Sequence, residues 1–280
     1  LLEGANVYKG KFVFLRELLQ NAIDATKIQC WIEYKEKNSF YFKKKERQLE
    51  DYLGIIEDID FTDYPIEIWF QICGRKRGAG GNQKEYIKVD DRKDNPEIEY
   101  GVKITVKDYG TGISSDDITA MSNVGVSHSN KKTMIDHMPV WLQPTGKFGI
   151  GLQSVFLVCD RFSCLTSVRN GEKYEISFSS ASSGNGYINV KPIDNVNLSY
   201  GTAMEIFVPV QEKLSHEDCM EAWNLETPDA DRFSREYVEK RQIRHASELM
   251  TQMIFNLDPL IRDIAFPIYL HVEKDGISEN

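Results

Sequence analysis

Glu17-Leu18-Leu19-Gln20-Asn21-Ala22-Ile23-Asp24-Ala25 (ELLQNAIDA, residues 17–25) is the stretch on which the architecture turns. Leu15, Leu18, Leu19 and Ala22 recur at helical spacing and predict the apolar face of a helix over residues 12–28. Glu17, Asn21 and Asp24 are spaced by four and then three residues, which sets them on one stripe roughly opposite Leu15 and Ala22. A carboxylate, an amide and a second carboxylate on one line can divide three tasks. The amide oxygen can complete an octahedral magnesium shell, which prefers hard oxygen ligands. The neighbouring carboxylate can polarise a water for attack on phosphorus. A solvated helix face has the same spacing, so the stripe carries chemistry only in company.

The company lies in two further stretches. Residues 102–107 (VKITVK) alternate as a half-buried strand and run directly into residues 108–113 (DYGTGI). An ionised Asp108 only accepts hydrogen bonds, and it can take one from the exocyclic amine of adenine. Gly110 and Gly112 let the backbone turn tightly and approach a flat base, with Ile113 beside it. A plain strand-to-helix turn would read the same way in isolation. The third stretch is Gly146-Lys147-Phe148-Gly149-Ile150-Gly151-Leu152, followed by an apolar segment expected to be helical over residues 148–158. Backbone N–H groups at a glycine-rich helix start suit phosphate. The spacing is that of neither a Walker A loop nor a dinucleotide fingerprint, since Lys147 is not followed by Ser or Thr.

Around these stretches the chain reads as mixed α and β. Residues 66–72 (IEIWFQI) alternate as a strand, and residues 162–168 and 174–178 form two more, joined by the hairpin signal Asn170-Gly171. Residues 187–190 and 203–210 add strands, a charged helix is expected over 231–253, and a last strand over 265–272. Ser114-Ser115-Asp116-Asp117 is a helix-start signal. Residues 74–96, rich in Gly, Lys, Asp and Asn, are expected to form a mobile loop, and the polar segment 122–145 a loop or lid. This order suggests an α/β sandwich with a largely antiparallel sheet.

Taken together and in this order, the three stretches resemble the boxes of the GHKL (Bergerat-fold) ATPase superfamily. Residues 146–160 (GKFGIGLQSVFLVCD), Gly201-Thr202 before a strand, residues 235–241 (REYVEKR) and 266–274 (FPIYLHVEK) are most similar to the amino-terminal ATPase domain of the ninety-kilodalton heat-shock chaperones. The resemblance implies an α+β fold, a two-layer α/β sandwich whose largely antiparallel mixed sheet is covered by helices on one face. It implies one ATPase domain over residues 1–280, with insertions near 35–64, 74–95 and 211–230, within a longer multidomain chain. The implied cofactors are ATP and magnesium. Glu17 would be the general base, Asn21 the magnesium ligand, and Asp108 the reader of the adenine amine, supported through water by Thr202. Asp24, Ala25, Gly112 and Ile113 would complete the nucleotide pocket. Gly146, Lys147, Phe148, Gly149, Ile150, Gly151 and Leu152 would wrap the phosphates, under a lid over 122–145. Hydrolysis to ADP would be slow, and lid closure would favour a homodimer of the full-length protein.

The bulk composition sets limits. The chain of 280 residues is 41% hydrophobic and 28% charged, ordinary for a globular protein. A net charge of −9 argues against a nucleic-acid or membrane-surface partner. The basic runs Lys43-Lys44-Lys45 and Arg75-Lys76-Arg77 read as solvated charges. Five cysteines without C-x-x-C spacing indicate reduced, structural thiols and a cytoplasmic setting. Five histidines show no zinc spacing, and no apolar run is long enough to span a bilayer. Two functions stay open: a chaperone-like ATP-driven switch, and an ATP-gated module of a signalling or defence protein without chaperone activity. A DNA-processing ATPase of MutL or topoisomerase type fits the acidic balance less well.

Overall fold

Alternation along the strands decides which residues meet. In the computed structural model Ile66, Ile68, Phe70 and Ile72 of one strand, Val102, Ile104 and Val106 of the next, and Met204, Ile206 and Val208 of a third are buried on one face of a sheet. Each such side chain withdrawn from water contributes about 1.5–3 kcal/mol before the entropy of ordering is subtracted. The structure describes residues 12–39, 59–76, 86–88, 98–122, 135–145, 151–180, 186–194, 198–210, 230–261, 266–274 and 277–279.

The strands are β1 (Ile66–Lys76), β2 (Tyr86–Lys88), β3 (Ile98–Asp108), β4 (Arg161–Ser167), β5 (Lys173–Ser179), β6 (Tyr187–Pro192), β7 (Gly201–Pro209), β8 (Ile268–Lys274) and β9 (Ile277–Glu279). They form one nine-stranded sheet in the order β6-β5-β4-β7-β3-β1-β8-β9, with β2 also on β1. Every pairing is antiparallel except β1 with β8, so the sheet is mixed and largely antiparallel as expected. Two long helices, α1 (Val13–Lys37) and α3 (Ala230–Ile261), lie on the buried face. Phe14, Leu15, Leu18, Leu19, Ala22 and Ile23 of α1 and Ala246, Leu249, Met250, Met253 and Leu257 of α3 join the sheet in one core. This is the two-layer α+β sandwich.

The short helix α2 (Ser115–Ser122) starts where the sequence placed it. Ser114 Oγ donates to Asp117 Oδ2 at 2.7 Å and accepts from Asp117 N–H at 3.3 Å, a reciprocal cap on the first turn. The β4–β5 hairpin turns at Asn170, whose φ of 56° is left-handed, while Val168 N–H donates to Glu172 O at 2.9 Å.

Several expectations are corrected. The first helix runs on past residue 28 to Lys37, because Ile28 and Trp31 are buried in a second apolar cluster with Met138 and Leu142. The segment 74–96 is not all loop: β1 continues to Lys76, and Tyr86–Lys88 pairs with its end through Cys73, Gly74 and Arg75. The apolar stretch after the glycine box is a 3-10 helix, Gly151–Leu157, rather than the α-helix expected over 148–158. The charged helix extends to Ile261. Of the segment 122–145 expected as a lid, residues 135–145 are packed, with Met138 and Leu142 in the second cluster, while 123–134 lie outside the described residues. So do residues 40–58 and 211–229 of the expected insertions, the run Lys43-Lys44-Lys45, and Gly146, Lys147, Phe148, Gly149 and Ile150. Cys30, Cys73, Cys159 and Cys164 are free and buried, and burial pushes the thiols of Cys73, Cys159 and Cys164 up to about 12. They are inert packing residues.

Candidate functional site

The end of β3 delivers Asp108 to the helix-covered face of the sheet, where its side chain is 6% exposed. Two backbone amides hold it: Gly110 N–H donates to Oδ1 at 2.8 Å and Thr202 N–H donates to the same oxygen at 3.2 Å. Among the described residues Oδ2 receives no hydrogen bond. Burial nevertheless outweighs both amides and pushes the carboxyl up to about 7. The second carboxylate oxygen can accept from a further donor.

The backbone around it has little room. A Cβ on Gly110 would sit 2.5 Å from the Ala25 Cβ and 2.9 Å from Asp108 Oδ1, so the turn lies directly on α1. Gly112 has φ of 71° and abuts the Ser167 carbonyl, a conformation that favours glycine. Ile113 N–H donates to Thr166 Oγ1 at 2.8 Å, and that hydroxyl lies 3.1 Å from Thr202 Oγ1 and 3.2 Å from Gly201 O. Thr166 thus joins residues 108–113, β4 and the start of β7. Thr166 is not among the site residues expected from sequence. Its signal was a hydroxyl at an inward position of β4, in register with Phe162 and Cys164, where the alternation calls for an apolar side chain.

Helix α1 supplies the other wall. Glu17 is partly exposed and accepts from the neighbouring Arg16 Nη2 at 2.9 Å. Its Oε2 would be 2.7 Å from a Cβ on Gly151, so the carboxylate borders the first described residue after the glycine stretch. Leu152 follows Gly151 in the 3-10 helix and packs on the core. Asn21 is exposed one turn beyond Glu17. Asp24 is buried, and both its oxygens accept from Thr145 N–H at 3.1 Å while Gln20 Nε2 donates to Oδ1 at 2.9 Å. Asp24 therefore holds the chain just ahead of Gly146. The structure brings Glu17, Ala25, Asp108, Gly112, Ile113, Gly151 and Thr202 to one side of the sheet, and gives Asp24 a positioning task. Thr202 meets Asp108 directly through its backbone N–H. Arg75 is engaged away from this site: its Nε donates to Glu99 at 2.9 Å, and it stacks on Phe207. No group of three or more His, Cys, Asp or Glu among the described residues is arranged to hold a metal ion. No helix among them is long and apolar enough to cross a membrane.

The chain is similar to chaperones of the HtpG type. It is 25% identical over 190 residues to the chaperone protein HtpG of Mesorhizobium japonicum, covering 67% of this chain and 22% of that one. It is 26% identical over 209 residues to HtpG of Wigglesworthia glossinidia brevipalpis, covering 74% and 26%. The HtpG of Vesicomyosocius okutanii subsp. Calyptogena okutanii is 26% identical over 213 residues, again 74% and 26%. The chain spans about a quarter of the length of these relatives. No family model matches. The similarity supports a chaperone-like domain at that coarse level.

Proposed function

We propose that this chain binds ATP with magnesium and hydrolyses it slowly, acting as a nucleotide-gated switch of the chaperone type. The observation that carries the reading is Asp108: buried, held through Oδ1 by Gly110 and Thr202, and left with Oδ2 for a ligand donor. The adenine amine is such a donor. Guanine presents a carbonyl at the same place, and two acceptors facing each other in a buried site are costly. Glu17 orients the attacking water and takes its proton. Asn21 would hold magnesium through its amide oxygen. The ion's contribution is to neutralise charge on the phosphates. Residues 146–152 supply backbone N–H groups to the phosphates, and Asp24 sets their approach through Thr145. Closure of the lid expected over 122–145 would favour a homodimer of the longer protein.

The test is calorimetric and enzymatic. The protein is expected to bind ATP clearly more tightly than GTP, and Glu17→Ala to keep ATP affinity within a few-fold while losing turnover. Equal affinities for the two nucleotides would refute the role of Asp108, and unchanged hydrolysis by the variant would refute that of Glu17. The alternative use of the same ATPase, in a signalling or defence protein, is favoured by the insertions expected near 35–64, 74–95 and 211–230. Absence of any ATP-dependent protection of unfolded proteins from aggregation would select it.

A further inference from the structure

The sheet face away from the helices carries a feature that the nucleotide reading does not use. Register sets Glu205 of β7 beside Thr105 of β3, Thr105 beside Trp69 of β1, and Trp69 beside His271 of β8, one row across four strands. Thr105 is the short member of the row. It leaves a cavity of about 320 Å³ bordered by Trp69, Gln71, Lys103, Thr105, Glu205 and Glu273. His271 stacks on Trp69 at a centroid separation of 3.8 Å and an angle of 12°. Glu273, two residues beyond His271 on β8, borders the cavity as well.

Charge on this face is nearly balanced by pairs. Arg75 meets Glu99, Lys107 meets Glu67 at 2.9 Å, and Lys103 meets Glu205 Oε2 at 2.8 Å. Lys103 also lies 4.8 Å from the centre of the Tyr86 ring, which holds it to one side. Two acceptors are left over. Glu273 has no ion pair among the described residues. Glu205 is 6% exposed, and its Oε1 is buried without a hydrogen-bond partner. A buried carboxylate oxygen without a donor is costly, so such atoms mark where a partner belongs. The wall offers two carboxylates against one ammonium, together with an indole.

We propose that this cavity is a binding site for a guanidinium group, separate from the nucleotide site. A guanidinium brings planar N–H donors to Glu205 Oε1, positive charge to Glu273 and a flat face to Trp69. An alkylammonium brings the charge without the planar face or the fork of donors. The cavity is at the small end of ligand pockets, which suits one side-chain-sized group.

The test uses the full chain with three probes at matched ionic strength: agmatine, N-acetyl-arginine amide and N-acetyl-lysine amide. The readout is the Trp69 indole N–H resonance, assigned with Trp69→Phe. Both guanidinium probes are expected to shift it saturably, and the lysine probe to bind about tenfold more weakly or not at all. Tighter binding of the acetylated amide identifies an arginine side chain of a protein as the natural guest, and tighter binding of agmatine a free guanidine. Glu205→Gln and, at the half-buried rim, Glu273→Gln are each expected to weaken the guanidinium probes about tenfold, with ATP affinity unchanged. No saturable shift, equal binding of the lysine probe, or full affinity in a folded Glu273→Gln variant overturns the assignment.

Discussion

If Asp108 must be ionised to accept the adenine amine, adenine binding depends on pH in a window set by this one carboxyl. Burial raises it to about 7 in the ligand-free protein, against an ordinary value near 4. Below that pH the empty site holds a protonated carboxyl that must lose its proton before it can accept. The affinity therefore falls as pH falls, approaching tenfold per pH unit at the acid end. With a carboxyl titrating at about 7, the dissociation constant at about pH 6 is expected to be roughly tenfold that at about pH 8. Adenosine is the right probe, since it carries no phosphate to titrate in this range. Calorimetry at the two pH values, in buffers of different ionisation enthalpy, should also detect a proton released on binding near neutrality. The same shift acts on stability with a definite sign. Between the unfolded and folded values the unfolded chain binds fewer protons at this group, so its contribution destabilises the fold progressively as pH rises from about 4 to 7. Asp108→Asn removes that cost, so the stability of the variant relative to the parent should rise over the same window. A flat affinity profile, with no proton released, would refute the argument that Asp108 meets the base as a carboxylate drawn from a protonated resting state.

Other outcomes follow from the same geometry. Gly112→Ala should cost about 1–2 kcal/mol from the left-handed backbone alone, with more from the abutting Ser167 carbonyl; a urea transition unchanged from the parent would contradict this. Gly110→Val should push the Asp108 turn off Ala25 and weaken adenosine binding, which calorimetry on the folded variant can check. Steady-state hydrolysis should run well below the roughly ten per second of a median enzyme, because Arg16, the cation described beside Glu17, is already paired with it; fast turnover would direct attention to Lys147, Lys131 and Lys132. Trypsin should cut at Lys131 or Lys132 more slowly with a non-hydrolysable ATP analogue than with ADP, and equal rates would exclude a γ-phosphate-gated lid there.

The parts of the fold legible from sequence are those specified by local pattern. β1, β3, β4, β5 and β7 alternate and were placed to within a few residues; α1 was found from Leu15, Leu18, Leu19 and Ala22. What was missed depends on partners distant in sequence. The last turns of α1 look polar and aromatic, and only Met138 and Leu142 explain why Trp31 is buried there. Tyr86–Lys88 has no strand signal of its own, and its pairing with the end of β1 supplies the reason for it. At the candidate site, the tight turn of Asp108, Gly110 and Gly112 was legible because an alternating strand runs straight into Asp-x-Gly-x-Gly. Thr166 was not, because a single threonine in a strand is ordinary until its hydroxyl is found between Ile113 and Thr202.

Glu17 and Asp24 look interchangeable on the stripe of residues 17–25, and the fold separates them. Asp24 faces inward and spends both oxygens on Thr145 N–H, with Gln20 holding Oδ1. Thr145 follows Leu142, which is itself buried with Met138 against Trp31 of the same helix. Glu17, two turns earlier, borders Gly151. One helix therefore meets the chain on both sides of residues 146–150, hydrogen-bonded to Thr145 through Asp24 and lying against Gly151 at Glu17. Under the proposed function, the partly exposed carboxylate is the one that can reach water, as a general base requires. The buried one, already committed to an amide, is left the task of aiming the phosphate-binding backbone.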